Sequence, residues 1–139
     1  MLIDEKKYKE IIELVPICCV DVIIENNNGE YLLVKRNEEP AKNKFWFPGG
    51  RLFKNESLRN CFYRKIKEEL GIFDFEHSIK HSVPELVGTF ETIFEKTHTI
   101  NCTYYTTVYE NIATKIKLDK TASEFKWYKV YSSMVVDQY

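Results

Sequence analysis

The 139-residue chain carries 20 basic and 21 acidic residues, a formal net charge of −1, so no global positive field draws it to a nucleic-acid polymer. Hydrophobic residues make up 44% and charged residues 29%, which excludes a disordered chain, and the length suits one domain over residues 1–139. No apolar run approaches a membrane span, and the N-terminal stretch through Lys7 lacks the apolar segment of a signal peptide, so a cytoplasmic protein without a membrane partner is expected.

In chain order, Tyr8, Ile11, Ile12 and Leu14 recur among charges with a period that predicts a short amphipathic helix over residues 4–14, stopped by Pro16. Ile17 to Glu25 is an apolar, β-branched run and reads as a buried strand. The turn Asn26-Asn27-Asn28-Gly29 then leads into Tyr31-Leu32-Leu33-Val34, which predicts a β-hairpin. Residues 37–44 form a charged loop before the aromatic stretch Phe45-Trp46-Phe47 and the tight Pro48-Gly49-Gly50. Between Glu56 and Leu70, the positions Leu58, Cys61, Phe62, Ile66 and Leu70 keep helical spacing, with Asn55 or Ser57 as cap and Gly71 as stop. Residues 86–94, 99–110 and 123–131, rich in β-branched and aromatic side chains, predict three more strands.

Cys18, Cys19, Cys61 and Cys102 form no C-x-x-C pair, which argues against zinc. Cys18 and Cys19 are neighbours in a strand and so point to opposite faces. All four are expected to be reduced and mostly buried. Most of the aromatic side chains are expected in the core, although such rings also stack on bases.

The central helix concentrates charge. Arg64, Lys65, Glu68 and Glu69 lie within two turns, and Glu56 stands near the start. Taken alone, these are the i,i+4 pairs Arg64–Glu68 and Lys65–Glu69 of a solvated helix face. The surrounding residues change that interpretation. Gly50, five residues, Glu56, seven residues, then Arg64-Lys65-Ile66-Lys67-Glu68-Glu69-Leu70-Gly71-Ile72 resembles the Nudix box G-x5-E-x7-R-E-U-x-E-E-x-G-U, with U aliphatic, and one fixed position departs from it.

The resemblance implies an α/β/α sandwich with a mixed central sheet, and a hydrolase of a nucleoside diphosphate joined to another group. A glycine-rich turn that exposes carbonyls above a helix that presents carboxylates gathers the hard oxygen donors that Mg²⁺ requires, with Mn²⁺ as the alternative ion. Glu69, the Gly49 carbonyl and Glu68 are the expected metal ligands. Arg64 and Glu56 are expected as an internal ion pair bracing loop against helix. Lys65 stands where the box has a glutamate. An ammonium cannot ligate a metal and opposes a second cation, so one Mg²⁺ per site is expected.

Outside the box, over roughly residues 5–130, the chain is similar to the GDP-mannose mannosyl hydrolases, a branch that breaks the sugar C–O bond. The stretches that carry this are Pro16 through Asp21 to Glu25-Asn26, Gly29-Glu30-Tyr31-Leu32-Leu33, Lys35-Arg36, Pro40-Ala41 and Phe45 through Arg51. That branch also lacks the box glutamate at the position of Lys65. By this similarity Asp21, Arg36, Arg51, Arg64 and Tyr105 face a nucleotide sugar, with Arg36 and Arg51 acting in catalysis by neutralising the departing diphosphate and Glu69 acting in it as a metal ligand. Asp21, inside an apolar strand, requires a partner. A homodimer is a further implication.

The branch carries a Gln-His pair before its last strand, and here those positions hold Thr121 and Ala122, neither of which is a base. Glu124, His98 and Glu91 are the substitutes, with Glu124 the tentative base. Three readings stay open: release of GDP and sugar by C–O cleavage, pyrophosphohydrolysis by P–O cleavage, and a nucleotide-sugar binding module without turnover.

Overall fold

A computed structural model describes residues 2–79, 83–109 and 112–129. The first helix, α1 (Glu5–Leu14), is capped by Asp4, whose carboxylate accepts the Lys7 N–H at 3.0 Å. Its amphipathic period exists, yet none of its residues is fully buried. Ile11 and Ile12 are half-buried while Leu14 is exposed.

The strands that follow are β1 (Ile17–Glu25), β2 (Tyr31–Arg36), β3 (Phe45–Trp46) and β4 (Gly49–Arg51). The turn between β1 and β2 is held by the Asn26 side chain, whose Oδ1 accepts the N–H groups of Asn28 and Glu30 at 2.9 and 3.0 Å. The expected hairpin connection is present, but its strands pair only where Glu25 meets Tyr31 and then part. β1 goes on to pair antiparallel with β4 over Cys19–Arg51, Val20–Gly50 and Asp21–Gly49. β2 pairs instead with β3 and with the last strand, β7 (Ala122–Tyr128). On its other edge β1 runs parallel to β6 (His98–Thr107), which pairs antiparallel with β5 (Glu85–Ile93). The described strands form one mixed sheet ordered β3-β2-β1-β6-β5, with β4 on β1 and β7 on β2. Of the range 123–131 expected for the last strand, residues 130 and 131 lie outside the described residues.

Alternation along the strands sorts side chains to two faces. Val20, Val22, Ile24, Leu32 and Val34 join the main core with Phe62, Ile66 and Leu70. Ile23 and Leu33 point the other way, into a smaller aromatic cluster with Phe45, Trp46 and Phe47. The main core is covered by α2 (Leu58–Lys65). Tyr8 of α1 lies beside Cys19 and Arg51, and Cys19 alternates with Val20, so the two helices lie on opposite sides of β1. This is the expected layering.

The helix expected to run unbroken from Glu56 to Leu70 is shorter and then changes pitch. Ser57 is the cap, its Oγ accepting the Asn60 N–H at 3.0 Å, and Asn55 takes the left-handed region at φ 67° in the preceding turn. Past Lys65 the backbone widens into a π-type turn over Ile66–Leu70, closed by Gly71 at φ 67°. Lys117 lies against Gly71, so a side chain there would strike its carbonyl. The cysteines are all free, and Cys61 is buried. Cys18, expected with the others as mostly buried, is exposed near the start of β1. No helix among the described residues is long and apolar enough to cross a membrane.

Phe62 is completely buried and meets Tyr63, Phe75 and Tyr104 at ring-centroid distances of 5.1 to 6.1 Å. Phe62→Ala is expected to lower stability by about 3–5 kcal/mol through lost burial and a cavity the rings cannot close. Urea unfolding measures it, and a midpoint within experimental error of the wild type would show that α2 does not carry the core.

Candidate functional site

The site is built where β4 brings the glycine turn to the widened end of α2. Gly49 N–H donates to Glu69 Oε2 at 2.8 Å, and the Pro48 carbonyl accepts the Val22 N–H at 2.8 Å. A side chain at position 49 would collide with the Val20 carbonyl and the Asp21 carboxylate, so glycine is required for this approach. Glu69 is 7% exposed. Burial pushes its carboxyl up to about 7, against the opposing pull of Lys65 and the Gly49 N–H. Arg36 also acts favourably on the charged form, and Asp119 acts against it.

Lys65 closes over this carboxylate. Its Nζ lies 3.2 Å from Glu68 Oε2 and 3.9 Å from Glu69 Oε1, and its stem is packed so closely on Gly50 that a Cβ there would lie 2.8 Å from Lys65 Cε.

The next turn holds the brace expected from the box. Arg64 Nε donates to Glu56 Oε2 at 2.6 Å, Nη2 donates to Glu56 Oε1 and to the Arg51 carbonyl at 2.9 Å, and Nη1 meets Glu68 at 3.2 Å. Its guanidinium carbon lies 3.6 Å from the centroid of the Phe53 ring. Glu56 also accepts the Phe53 N–H at 3.1 Å. All three guanidinium nitrogens of Arg64 are thus engaged within the loop and helix. Of its two expected roles, brace and sugar-facing group, the geometry displays the brace.

Asp21 is 3% exposed and has the partner its burial demands: Asn101 Nδ2 donates to Asp21 Oδ2 at 3.0 Å. A carboxylate only accepts, so the amide turns its NH₂ toward Asp21 and its oxygen toward the hydroxyls of Thr99 and Thr92, at 2.8 and 3.3 Å. Asn101 was not among the sequence candidates. Its position two residues before Thr103, which faces Asp21 in the β1–β6 register, emerges only from the parallel pairing. Arg36 sits on β2, its Nε donating to the Pro40 carbonyl at 2.7 Å, and its Cα partner on β7 is Ala122. Arg51 lies on β4 with its guanidinium carbon 4.9 Å from the Phe53 centroid. Tyr105 donates to Glu25 at 2.7 Å and lies farther along the Asp21 face of β1 and β6. Burial and this carboxylate push its hydroxyl up to about 12.

The substitutes for the base are scattered. His98 and Glu91 pair with each other at 2.8 Å near the β5–β6 turn. Glu124 is exposed on β7, 3.8 Å from Lys126. Thr121 and Ala122 do lie beside Arg36, and Asp119 is close by, held by the Thr121 N–H at 2.9 Å and by its hydroxyl. Asp119 is the residue sequence reasoning missed. Its signal was the Asp-x-Thr turn ahead of the last strand.

Among the described residues no group of three or more His, Cys, Asp or Glu side chains is arranged to hold a metal ion. A cation here would rest on few protein groups: the buried Glu69, Glu68 at its rim and the turn carbonyl of Gly49. That sparse all-oxygen set suits Mg²⁺, which keeps waters and takes phosphate oxygens from its substrate. A cation would add to the compensation that the Lys65 ammonium and the Gly49 N–H already give the buried Glu69 carboxylate.

A family model described as NUDIX domain matches residues 17–133. The chain belongs to the Nudix domain family. It is 34% identical over 93 residues to the low-salt glycan biosynthesis protein Agl8 of Haloferax volcanii, covering 67% of this chain and 54% of that protein. It is 42% identical over 69 residues to an ADP-ribose pyrophosphatase of Methanocaldococcus jannaschii, covering 50% of this chain and 39% of that one. The chain thus spans about half, or less, of the curated relatives it matches. The crystal structure of a MutT protein from Methanosarcina mazei superposes with a TM-score of 0.67 at 27% identity, over 83% of this chain and 78% of that one. The fold of the Shewanella oneidensis NrtR Nudix domain, solved with ADP ribose, also matches, with a TM-score of 0.65 at 17% identity over 91% and 83% of the two chains.

The Glu56–Arg64 contact has a pH signature. Arg64 holds the Glu56 carboxyl at about 2 instead of 4.5. A carboxyl depressed on folding contributes stability that is present above its ordinary value and is lost as pH falls through the folded one. Glu56→Gln is therefore expected to be less stable than wild type at pH 6, with the gap closing as pH drops from about 4.5 toward 2. Thermal unfolding of both proteins across that range checks it; a gap independent of pH would contradict the ion pair.

Proposed function

We propose that the chain is a Mg²⁺-dependent hydrolase of a nucleoside diphosphate sugar, with GDP-mannose as substrate, that releases GDP and the free sugar by breaking the C–O bond. The observation that carries this reading is the buried Glu69, tied to the Gly49 N–H and faced by the ammonium of Lys65, where further box carboxylates would surround several metal ions. Membership of the family supports hydrolysis of a diphosphate-linked substrate. The glycan-biosynthesis name of the Haloferax relative supports a sugar nucleotide.

In this reading Glu69, Glu68 and the Gly49 carbonyl would hold one Mg²⁺, which would supply Lewis acidity to the diphosphate oxygens. Arg36 and Arg51 add forked donors to the same phosphates. Asp21, steadied by Asn101, and Tyr105 face the nucleotide sugar. Water attacks the anomeric carbon, its oxygen forming the new C–O bond while the old bonding pair leaves on the diphosphate. We assign the water's proton to Asp119 ahead of Glu124, because Asp119 lies within electrostatic reach of Glu69 and beside Thr121 and Ala122.

The second reading is pyrophosphohydrolysis, favoured by retention of both Glu68 and Glu69 and by the ADP-ribose pyrophosphatase relative. Products discriminate. GDP-mannose with Mg²⁺ is expected to yield GDP and mannose, with ¹⁸O from labelled water in the sugar. GMP and mannose 1-phosphate would establish the second reading, and binding without turnover would leave a recognition module. Whichever bond breaks, Glu69→Gln is expected to cut the Mg²⁺-dependent rate by about 100-fold or more, as loss of several kcal/mol of charge stabilisation requires. A rate within twofold of wild type would remove Glu69 from the metal site.

A further inference from the structure

Arg51 is held at both ends by the loop it opens. Its carbonyl accepts a hydrogen bond from Arg64 Nη2 at 2.9 Å, and its guanidinium carbon lies 4.9 Å from the centroid of the Phe53 ring. The same ring carries the Arg64 guanidinium carbon at 3.6 Å. Two guanidinium groups of like charge thus share one aromatic side chain. The negative face of a ring attracts a cation, so this ring offsets part of the repulsion between them. The two groups differ in what else fixes them. Arg64 is tied through all three guanidinium nitrogens to Glu56, Glu68 and the Arg51 carbonyl, and these charge-assisted bonds hold it without the ring. Arg51 ends β4, directly after the Gly49-Gly50 turn that meets Glu69, and an arginine side chain left to itself spreads over many rotamers.

We propose that Phe53 is a positioning residue for substrate binding: its ring, set in place by the Glu56–Arg64 brace, holds the Arg51 guanidinium where it receives the diphosphate. This rests on the assignment of Arg51 to the diphosphate in the proposed function, and not on the choice of sugar or bond. A guanidinium ordered before the ligand arrives gives up less rotamer freedom on binding. The two contacts do not compete, because a ring attracts the charge while phosphate takes the N–H donors in the plane of the group. The Phe53 N–H donates to Glu56 Oε1 at 3.1 Å, so the carboxylate that pairs with Arg64 also seats the residue bearing the ring. The internal ion pair thereby reaches the diphosphate through Phe53 and Arg51.

The test reads the affinity of the whole chain for GDP by calorimetry in Mg²⁺. Phe53→Leu keeps the apolar bulk and removes the ring, and is expected to weaken GDP binding about fivefold, the scale of one cation–π contact. Phe53→Tyr restores the ring and is expected to stay within about twofold of wild type. Because the ring acts through Arg51, its effect depends on that side chain. Arg51→Gln is expected to weaken GDP binding by itself, and adding Phe53→Leu to it to change the affinity by less than about 1.5-fold. An equal loss in both backgrounds would overturn the proposal, as would a Tyr variant no better than the Leu variant. Thermal unfolding guards against a loosened loop. Phe53→Leu is expected to lose stability with falling pH in parallel with wild type, because Glu56 and Arg64 still pair. A flatter profile would mean that the ring serves the ion pair instead of Arg51, and would likewise overturn it. Loss in Arg51→Gln with none in Phe53→Leu sinks the role of the ring alone. No GDP binding by wild type, or unchanged affinity in Arg51→Gln, sinks the diphosphate assignment beneath it and the inference with it.

Discussion

A carboxylate taken out of water must be compensated, and the chain is arranged around one such group. Glu69 is held from one side by the Gly49 N–H and from the other by the Lys65 ammonium. The first contact requires a glycine, because the backbone of β1 leaves no room for a side chain at position 49. The second requires the lysine one turn back to fold over Gly50. The glycine pair is therefore part of the electrostatics of the site as much as of its backbone geometry. Arg64 ties Glu56 and the Arg51 carbonyl together within the same turn, so the loop cannot drift from the helix without breaking charge-assisted bonds.

The sheet supplies the other half of that constraint. Were β1 and β2 paired along their lengths, as a simple hairpin would be, β1 would have no free edge for β4. Because they meet only at Glu25 and Tyr31, β4 docks on β1 and β7 docks on β2. β4 brings the glycine turn to Glu69, and β7 brings Thr121 and Ala122 to Arg36. The same parting of strands thus delivers the carboxylate side and the arginine side of the site.

Much of this was legible in the residues. The period of α1, the Asn-rich turn and the stop at Gly71 are local properties, and each element they mark is present. The box spacing located the Glu56–Arg64 pair because loop and helix are contiguous in sequence. What was not legible depends on contacts distant in the chain. The β1–β6 pairing is parallel, so the Asn101 partner of Asp21 stands 80 residues away with no periodic signal to join them. The widened turn at Ile66–Leu70 keeps the apolar spacing of an ordinary helix, so nothing in the pattern distinguishes it. Cys18 was read as buried because its strand is apolar, yet it is exposed while Ile17 beside it is buried.

In the proposed reading, the choice of the sugar carbon over phosphorus rests on what surrounds the buried Glu69 carboxylate. Attack on phosphorus gains from several cations gathered on the phosphate, which position water and neutralise developing charge together. Here the helix face that would gather them carries Lys65, whose charge would oppose a second divalent ion at the same carboxylates. Attack on the sugar carbon asks less of the metal: the diphosphate departs carrying the bonding pair, and one ion with the forked donors of Arg36 and Arg51 can accept that charge. The remaining need is a base on the opposite side of the reacting centre. Ala122 cannot supply it. Asp119 is oriented by the Thr121 N–H and hydroxyl in the segment just before β7, so the proposed reading finds a carboxylate in the turn where the similar branch carries a histidine.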